Sequence, residues 1–174
     1  MTFRSADESD CGLILRFIRL LAEYERMTDE VVATEDLIRE WVFEKKIAET
    51  LFVMDGEKEV GFALFFHNFS TFLGRGGLYL EDLYVLPEYR GKGYGKALFT
   101  EVAKIANARG CGRMEWSCLN WNEKGIRFYE SFGAVPMEGW TVWRLTGDGL
   151  KKTGTGSAPE EDGGPFETDR GARV

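Results

Sequence analysis

Leu80-Glu81-Asp82-Leu83-Tyr84-Val85-Leu86-Pro87-Glu88-Tyr89-Arg90-Gly91-Lys92-Gly93-Tyr94-Gly95-Lys96-Ala97-Leu98 is the stretch from which the rest of the chain can be read. An apolar, strand-like run carries two consecutive acids, Glu81 and Asp82, and Pro87 marks a turn after it. Arg90 to Gly95 then opens directly into a helical pattern. Glycines at 91, 93 and 95 permit backbone conformations closed to other residues and expose N–H groups. Such groups, gathered at the positive end of a helix dipole, bind phosphate. The local chemistry is a pyrophosphate cradle at the end of a strand that also bears carboxylates.

Spacing decides which cradle it is. A Walker A loop needs its first glycine at 90, where Arg90 stands, and a Ser or Thr at 97, where Ala97 stands. The dinucleotide fingerprint started by Gly91 and Gly93 needs a third glycine at 96, which is Lys96. What remains is Arg-x-x-Gly-x-Gly after an apolar strand ending in Val-Leu-Pro. That pattern resembles the acetyl-CoA pyrophosphate loop of the GNAT family of N-acetyltransferases. Taken alone, the hexapeptide also describes a glycine turn without a ligand; the strand before it and the helix after it favour the loop.

With 174 residues, 44% of them hydrophobic, the chain suits one domain with a sizeable core. No apolar run reaches the ~18 residues of a membrane span, and no basic, apolar leader opens the sequence. Cys11, Cys111 and Cys118 are odd in number and lack metal-ligand spacing, which points to reduced thiols in a cytoplasm. One histidine, His67, leaves no zinc site or histidine-based triad, and no metal is expected. A formal net charge of −7 argues against nucleic acid as the partner and is compatible with a cationic substrate.

The sequence predicts a short strand over 2–6, then a helix capped by Asp7 with Leu13, Ile14, Phe17, Ile18, Leu21 and Tyr24 at helical spacing, ending near Met27. A second helix is expected over 34–44, and strands over 51–54, 59–69 and 78–86, joined by short turns that include Asp55-Gly56. A helix over 94–109 follows the glycine loop, stopped by Gly110. Then come a strand over 113–119, a short helix capped by Asn122 and running through Phe132, and a last strand over 140–145. This is an α+β single domain over 1–150, around one central mixed, largely antiparallel sheet flanked by helices. From Lys151 the composition turns to Gly, Ser, Thr, Pro, Asp and Glu, which reads as a flexible polar tail over 151–174.

Resemblance to the GNAT family extends over roughly 2–146, and within the family the chain looks most like the diamine (spermidine/spermine) acetyltransferases and relatives acting on lysine analogues. The likeness is carried by Leu21-Ala22-Glu23-Tyr24-Glu25, Gly61-Phe62-Ala63, the run Leu78 to Val85 continuing to Tyr89-Arg90-Gly91, Trp121-Asn122-Glu123, Phe128-Tyr129, Gly133-Ala134 and Gly139-Trp140. Departures are Lys124-Gly125, where the diamine enzymes have Pro-Ser, and Thr141-Val142-Trp143 after Trp140.

Acetyl transfer to an amine needs a neutral amine, a stabilised oxyanion, a protonated leaving thiolate and two reactants held together. No covalent nucleophile is required. The resemblance implies acetyl-CoA as co-substrate and Tyr129 as the acid that protonates the thiolate; a phenol of pKa about 10 suits that task. Read from residues alone, Tyr129 also suits core packing beside Phe128. Glu81 and Asp82 alternate on their strand, so one of them faces the cleft; the resemblance favours Glu81 as the group that binds the amine and relays its proton, with Asp82 supporting it. It further implies that Leu83, Tyr84 and Val85 offer backbone groups to the pantetheine arm like an added strand. One N–H there, that of Leu83 or Val85, would polarise the thioester carbonyl. Arg90, Gly91, Lys92, Gly93, Tyr94, Gly95 and Lys96 would hold the pyrophosphate, and Asn122 would reach the pantetheine or phosphate side. Tyr24 and Glu25 would contact the distal amine of a diamine, with Trp140 walling that pocket; as residues alone, Glu23 and Glu25 suit a solvated helix end.

The expected function is acetyl-CoA-dependent N-acetylation of a small diamine or polyamine by direct attack. Acetylation of lysine, thialysine or another amino-acid-like amine is the alternative within the same chemistry. A non-catalytic CoA-binding module is the alternative from another class, which would need neither Tyr129 nor Glu81. A homodimer is implied by the resemblance only.

Overall fold

The computed structural model describes residues 1–156. The chain divides into two compact units, one spanning Met1–Leu119 and one starting at Asn120. The first holds the whole sheet. Its strands are β1 (Thr2–Ser5), β2 (Glu49–Asp55), β3 (Lys58–Ser70), β4 (Arg75–Val85) and β5 (Met114–Trp116), in spatial order β1-β2-β3-β4-β5. Every pair is antiparallel except β4 with β5, so the sheet is mixed and largely antiparallel, as the sequence suggests.

Alternation along the strands sends side chains to two layers. Phe52, Met54, Phe62 and Tyr84 meet α1 (Cys11–Glu25) and α2 (Glu35–Ile38) through Ile14, Leu15, Phe17 and Ile38. Phe17 is the hub of this layer, with ring centres 5.1 Å from Phe62, 5.9 Å from Phe52 and 6.4 Å from Tyr84. On β2, β3 and β4 packs α3 (Tyr94–Ala108), with Leu98, Phe99, Val102 and Ala106 as its buried stripe; Phe99 also meets Trp116 edge-on at 5.2 Å.

The first helix is entered through a capping box, Asp7 with Asp10. Asp10 is buried there and accepts two hydrogen bonds from Arg4, which also bonds Glu59; that pairing lowers the Asp10 pKa. The helix stops at Glu25 rather than Met27, because Arg26 adopts a left-handed conformation and its N–H closes on Ala22 and Glu23. The expected second helix is α-helical only to Ile38 and continues as a π-helical turn, Arg39–Glu44.

The second unit contains α4 (Glu123–Glu130) and α5 (Gly147–Gly154). The strand expected over 140–145 is absent: these residues pair with nothing in a sheet, and Trp140, Val142, Trp143 and Leu145 are exposed. Strand propensity without a partner strand and a buried face does not make a strand. Of the expected tail, Lys151 to Gly156 belong to α5 and the turn after it, while 157–174 lie outside the described residues. Among the described residues no helix is long and apolar enough to cross a membrane.

Candidate active site

The site is built on a defect in the sheet. In β4, Asp82 pairs with Leu64 while Leu80 pairs with the next residue of β3, Phe65, so Glu81 is an extra residue, a β-bulge. A one-residue insertion flips every side chain beyond it to the other face. Leu80 and Asp82, two apart, therefore lie on opposite faces, and Asp82 joins Leu64 and Tyr84 on the α1 side. This amends the simple alternation expected of Glu81 and Asp82. Nothing in the sequence marks the bulge except two consecutive acids in an apolar strand.

The pairing of β4 with β5 also ends at this point. It runs from Leu78–Met114 to Leu80–Trp116 and no further, while β4 stays paired to β3 through Val85. From Glu81 to Val85 the β5-side edge of β4 has no strand beside it among the described residues. Leu83, Tyr84 and Val85, singled out for their backbone groups, lie on that open edge. The opposite edge is held close by Gly61, where any Cβ would stand 2.7 Å from the Tyr84 carbonyl oxygen.

Three carboxylates gather at the bulge. Glu81 is exposed, while Asp82 and Glu25 are half-buried. Burial, then the charges of Glu81 and Glu25, push the Asp82 carboxyl up to about 7. Burial also raises Glu25. Cys118, at the end of the same unit, has its thiol raised by burial and by Glu25. The structure thus brings together Glu25, Glu81 and Asp82, which the sequence placed at two ends of one pocket. Asp82 is the member whose carboxyl is raised furthest, and the burial that is the main cause could not be read without the fold.

The glycine loop follows β4 through a 3-10 turn at Pro87–Tyr89 and leads into α3. Gly91 and Gly93 have φ of +74° and +87°, in the left-handed region that other residues avoid, and no atom within 4 Å of where a Cβ would stand. The opening N–H groups of α3 have no acceptor within the helix. An open, positively poled backbone cradle with Lys92 and Lys96 exposed on it suits a pyrophosphate, and the unpartnered β4 edge suits an amide-bearing arm. The residues thus fit the co-substrate that the loop suggests. Tyr24 lies beside the loop: its ring centre is 4.9 Å from the guanidinium carbon of Arg90.

In the second unit, Asn122 caps α4, its side-chain oxygen accepting the Gly125 N–H at 3.0 Å. A Cβ at 125 would meet the Asn122 amide nitrogen at 2.6 Å, so this cap pose depends on the glycine that departs from the diamine pattern. Tyr129 is on α4 with its ring edge-on to Phe128 at 5.2 Å. Trp140 follows a turn closed by its own N–H on Met137 and is 73% exposed. Among the described residues there is no group of His, Cys, Asp and Glu able to hold a metal.

A mixed sheet opened beyond its fourth strand, with a glycine loop and helix N-terminus at the opening, frames the site. The chain belongs to the acetyltransferase (GNAT) family, whose model matches residues 15–134. It is 39% identical over 162 residues to a thialysine N-epsilon-acetyltransferase of Sus scrofa, covering 86% of this chain and 94% of that one. It is 32% identical to a spermidine/spermine N(1)-acetyltransferase-like protein of Homo sapiens, covering 84% of this chain and 23% of that protein. An integron cassette protein from the mobile metagenome of V. cholerae has a solved structure that superposes with a TM-score of 0.73 at 28% identity, covering 88% of this chain and 96% of that one. The chain is an N-acetyltransferase, and its family uses acetyl-CoA as co-substrate.

Proposed function

We propose that this N-acetyltransferase acetylates a primary amine of a small molecule that carries a second cationic nitrogen, a diamine or polyamine. The observation that carries this reading is the cluster of Glu25, Glu81 and Asp82 at the bulge. Two half-buried carboxylates and one exposed one make a site for cations, and each charge-assisted hydrogen bond there is worth ~1.5–3 kcal/mol. A lysine- or thialysine-like amine is the second reading, supported by the relative from Sus scrofa. It also offers two nitrogens, but it brings a carboxylate that the acid cluster repels.

Acetyl-CoA supplies the acyl group as a thioester. Glu81, exposed at the bulge, receives the amine. Glu81 relays the proton that the amine must lose before it attacks, and Asp82, its carboxyl pushed up to about 7 by burial and by the charges of Glu81 and Glu25, supports it and can hold that proton. A backbone N–H of Leu83 or Val85 on the open edge polarises the carbonyl. Gly91 to Lys96 cradle the pyrophosphate, Asn122 contributes on the pantetheine side, and Tyr129 protonates the leaving thiolate. Tyr24, Glu25 and Trp140 border the acceptor. The acetyltransferase domain extends over 1–150, with a polar tail after it. Reduced thiols support a cytoplasmic enzyme, and the family resemblance supports a homodimer.

Steady-state kinetics with spermidine, thialysine and a monoamine of matched length test the acceptor. Glu25→Gln should raise KM for spermidine about five- to a hundredfold, as expected for one charged contact, and barely change it for the monoamine. Equal effects on both remove Glu25 from the pocket; a preference for thialysine over spermidine moves the acceptor to the amino-acid class.

A further inference from the structure

Arg90 opens the glycine loop, and its side chain turns away from it. The backbone N–H of Arg90 is already spent on the Pro87 carbonyl at 3.2 Å. Its Nε–H donates to the Val85 carbonyl at 2.9 Å, back on β4. Its guanidinium carbon lies 4.9 Å from the centre of the Tyr24 ring and 5.0 Å from that of Tyr84. Tyr84 is 6% exposed and packs edge-on against Phe17, so it is a fixed anchor. Tyr24 stands in the last turn of α1, one residue before Glu25. The positive charge of Arg90 is thus engaged with two aromatic faces and a carbonyl, while Lys92 and Lys96 supply the exposed cations of the loop.

We propose that Arg90 is a positioning residue that fastens the glycine loop to β4 and to the acceptor end of α1, and that it does not bind pyrophosphate through its side chain. The proposal rests on reading residues 90–96 as the acetyl-CoA loop. The clamp needs a planar guanidinium, which can face two rings and donate from Nε at once; a lysine ammonium has the charge without the plane. Because Tyr24 and Glu25 are neighbours on α1, loosening the clamp disturbs the cofactor loop and the acceptor carboxylate together. The two substrates are thereby coupled through one side chain.

The test uses Arg90→Lys and Tyr24→Leu in the full chain. Hydrogen exchange of residues 86–97 is measured without any ligand, acetyl-CoA binding by calorimetry, and KM for spermidine by thiol release. Both variants should speed exchange across the loop, weaken acetyl-CoA about tenfold and raise the spermidine KM, on the scale of one or two lost cation–π contacts. Tyr24→Leu keeps every loop cation, so its loss of affinity reports geometry rather than charge. Wild-type exchange and wild-type affinity in Arg90→Lys would overturn the clamp, since charge alone would then suffice. If the wild-type protein fails to bind acetyl-CoA, the cofactor reading falls, and ligand-free exchange still decides the clamp.

Discussion

Glu81 to Lys96 and Asn122 to Leu145 are both rich in aromatic, glycine and polar residues, yet they are held in different ways. In the first stretch, Tyr84 is 6% exposed, Asp82 feels the charges of two other acids, and Arg90 is tied to residues on two elements. In the second, Trp143 is 84% exposed, and α4 is fixed locally by the Asn122 cap and by Phe128 against Tyr129 and Phe132. The lesson is that the cofactor cradle and the acid cluster are products of long-range packing, whereas the proposed acid stands on a short helix with a local cap. Substitutions in the first stretch should therefore couple stability to chemistry, and those in the second should separate them.

The largest expected effect is such a separation. Tyr129→Phe keeps the ring and removes the hydroxyl, so kcat should fall about 10²-fold while acetyl-CoA affinity and Tm hold, the usual size for loss of a general acid. A change confined to KM would assign the hydroxyl to binding instead. Next is Gly93→Val in the first stretch. Gly93 sits at φ +87°, where a β-branched residue is strained, so calorimetry should show acetyl-CoA affinity down at least tenfold with the fold retained. Unchanged affinity would remove the loop from the cofactor site.

Asp82→Asn should show coupling. Burial and two like charges raise the Asp82 pKa, so ionising it costs the folded state. That penalty is absent below the unfolded value of about 3.9 and grows as pH rises through about 7. The variant should be more stable than wild type by ~1–2 kcal/mol at pH 8.5, allowing for partial solvent screening, and equal to it near pH 4. Its kcat/KM should lose the limb that rises through pH 7 in the wild type. A variant less stable than wild type at pH 8.5 would break this account of the cluster. The smallest effect belongs to the second stretch: Trp143→Ala should change unfolding free energy by no more than ~0.5 kcal/mol, because the side chain buries almost nothing. A loss of several kcal/mol would show that Trp143 is covered in solution.

The same contrast explains what could be read from the sequence. The two long helices were legible because Phe17, Leu98 and Val102 recur at helical spacing, and the five strands because each is a short run bounded by turn residues. The glycine loop was legible because left-handed backbone is confined to few residue types, and the Asn122 cap because few side chains can make it. The bulge at Glu81 and the end of β4–β5 pairing at Leu80 left no such trace, since both depend on which strands lie alongside. Trp140 to Leu145 misled for the converse reason: a strand-like run lacked the partner that makes a strand. The π-helical turn after Ile38 had no signal in residues that suit an ordinary helix equally well.

The central claim is that acetyl passes directly from acetyl-CoA to an amine at the opened edge of β4. Rapid-mixing measurement of free thiol, with the acetylated amine followed by mass spectrometry, tests it most directly. Enzyme and acetyl-CoA alone should release no thiol, and adding a primary amine should release thiol and acetylated amine in equal amounts. A stoichiometric burst of thiol before any amine is added, or cofactor binding with no thiol released by any amine, would contradict it.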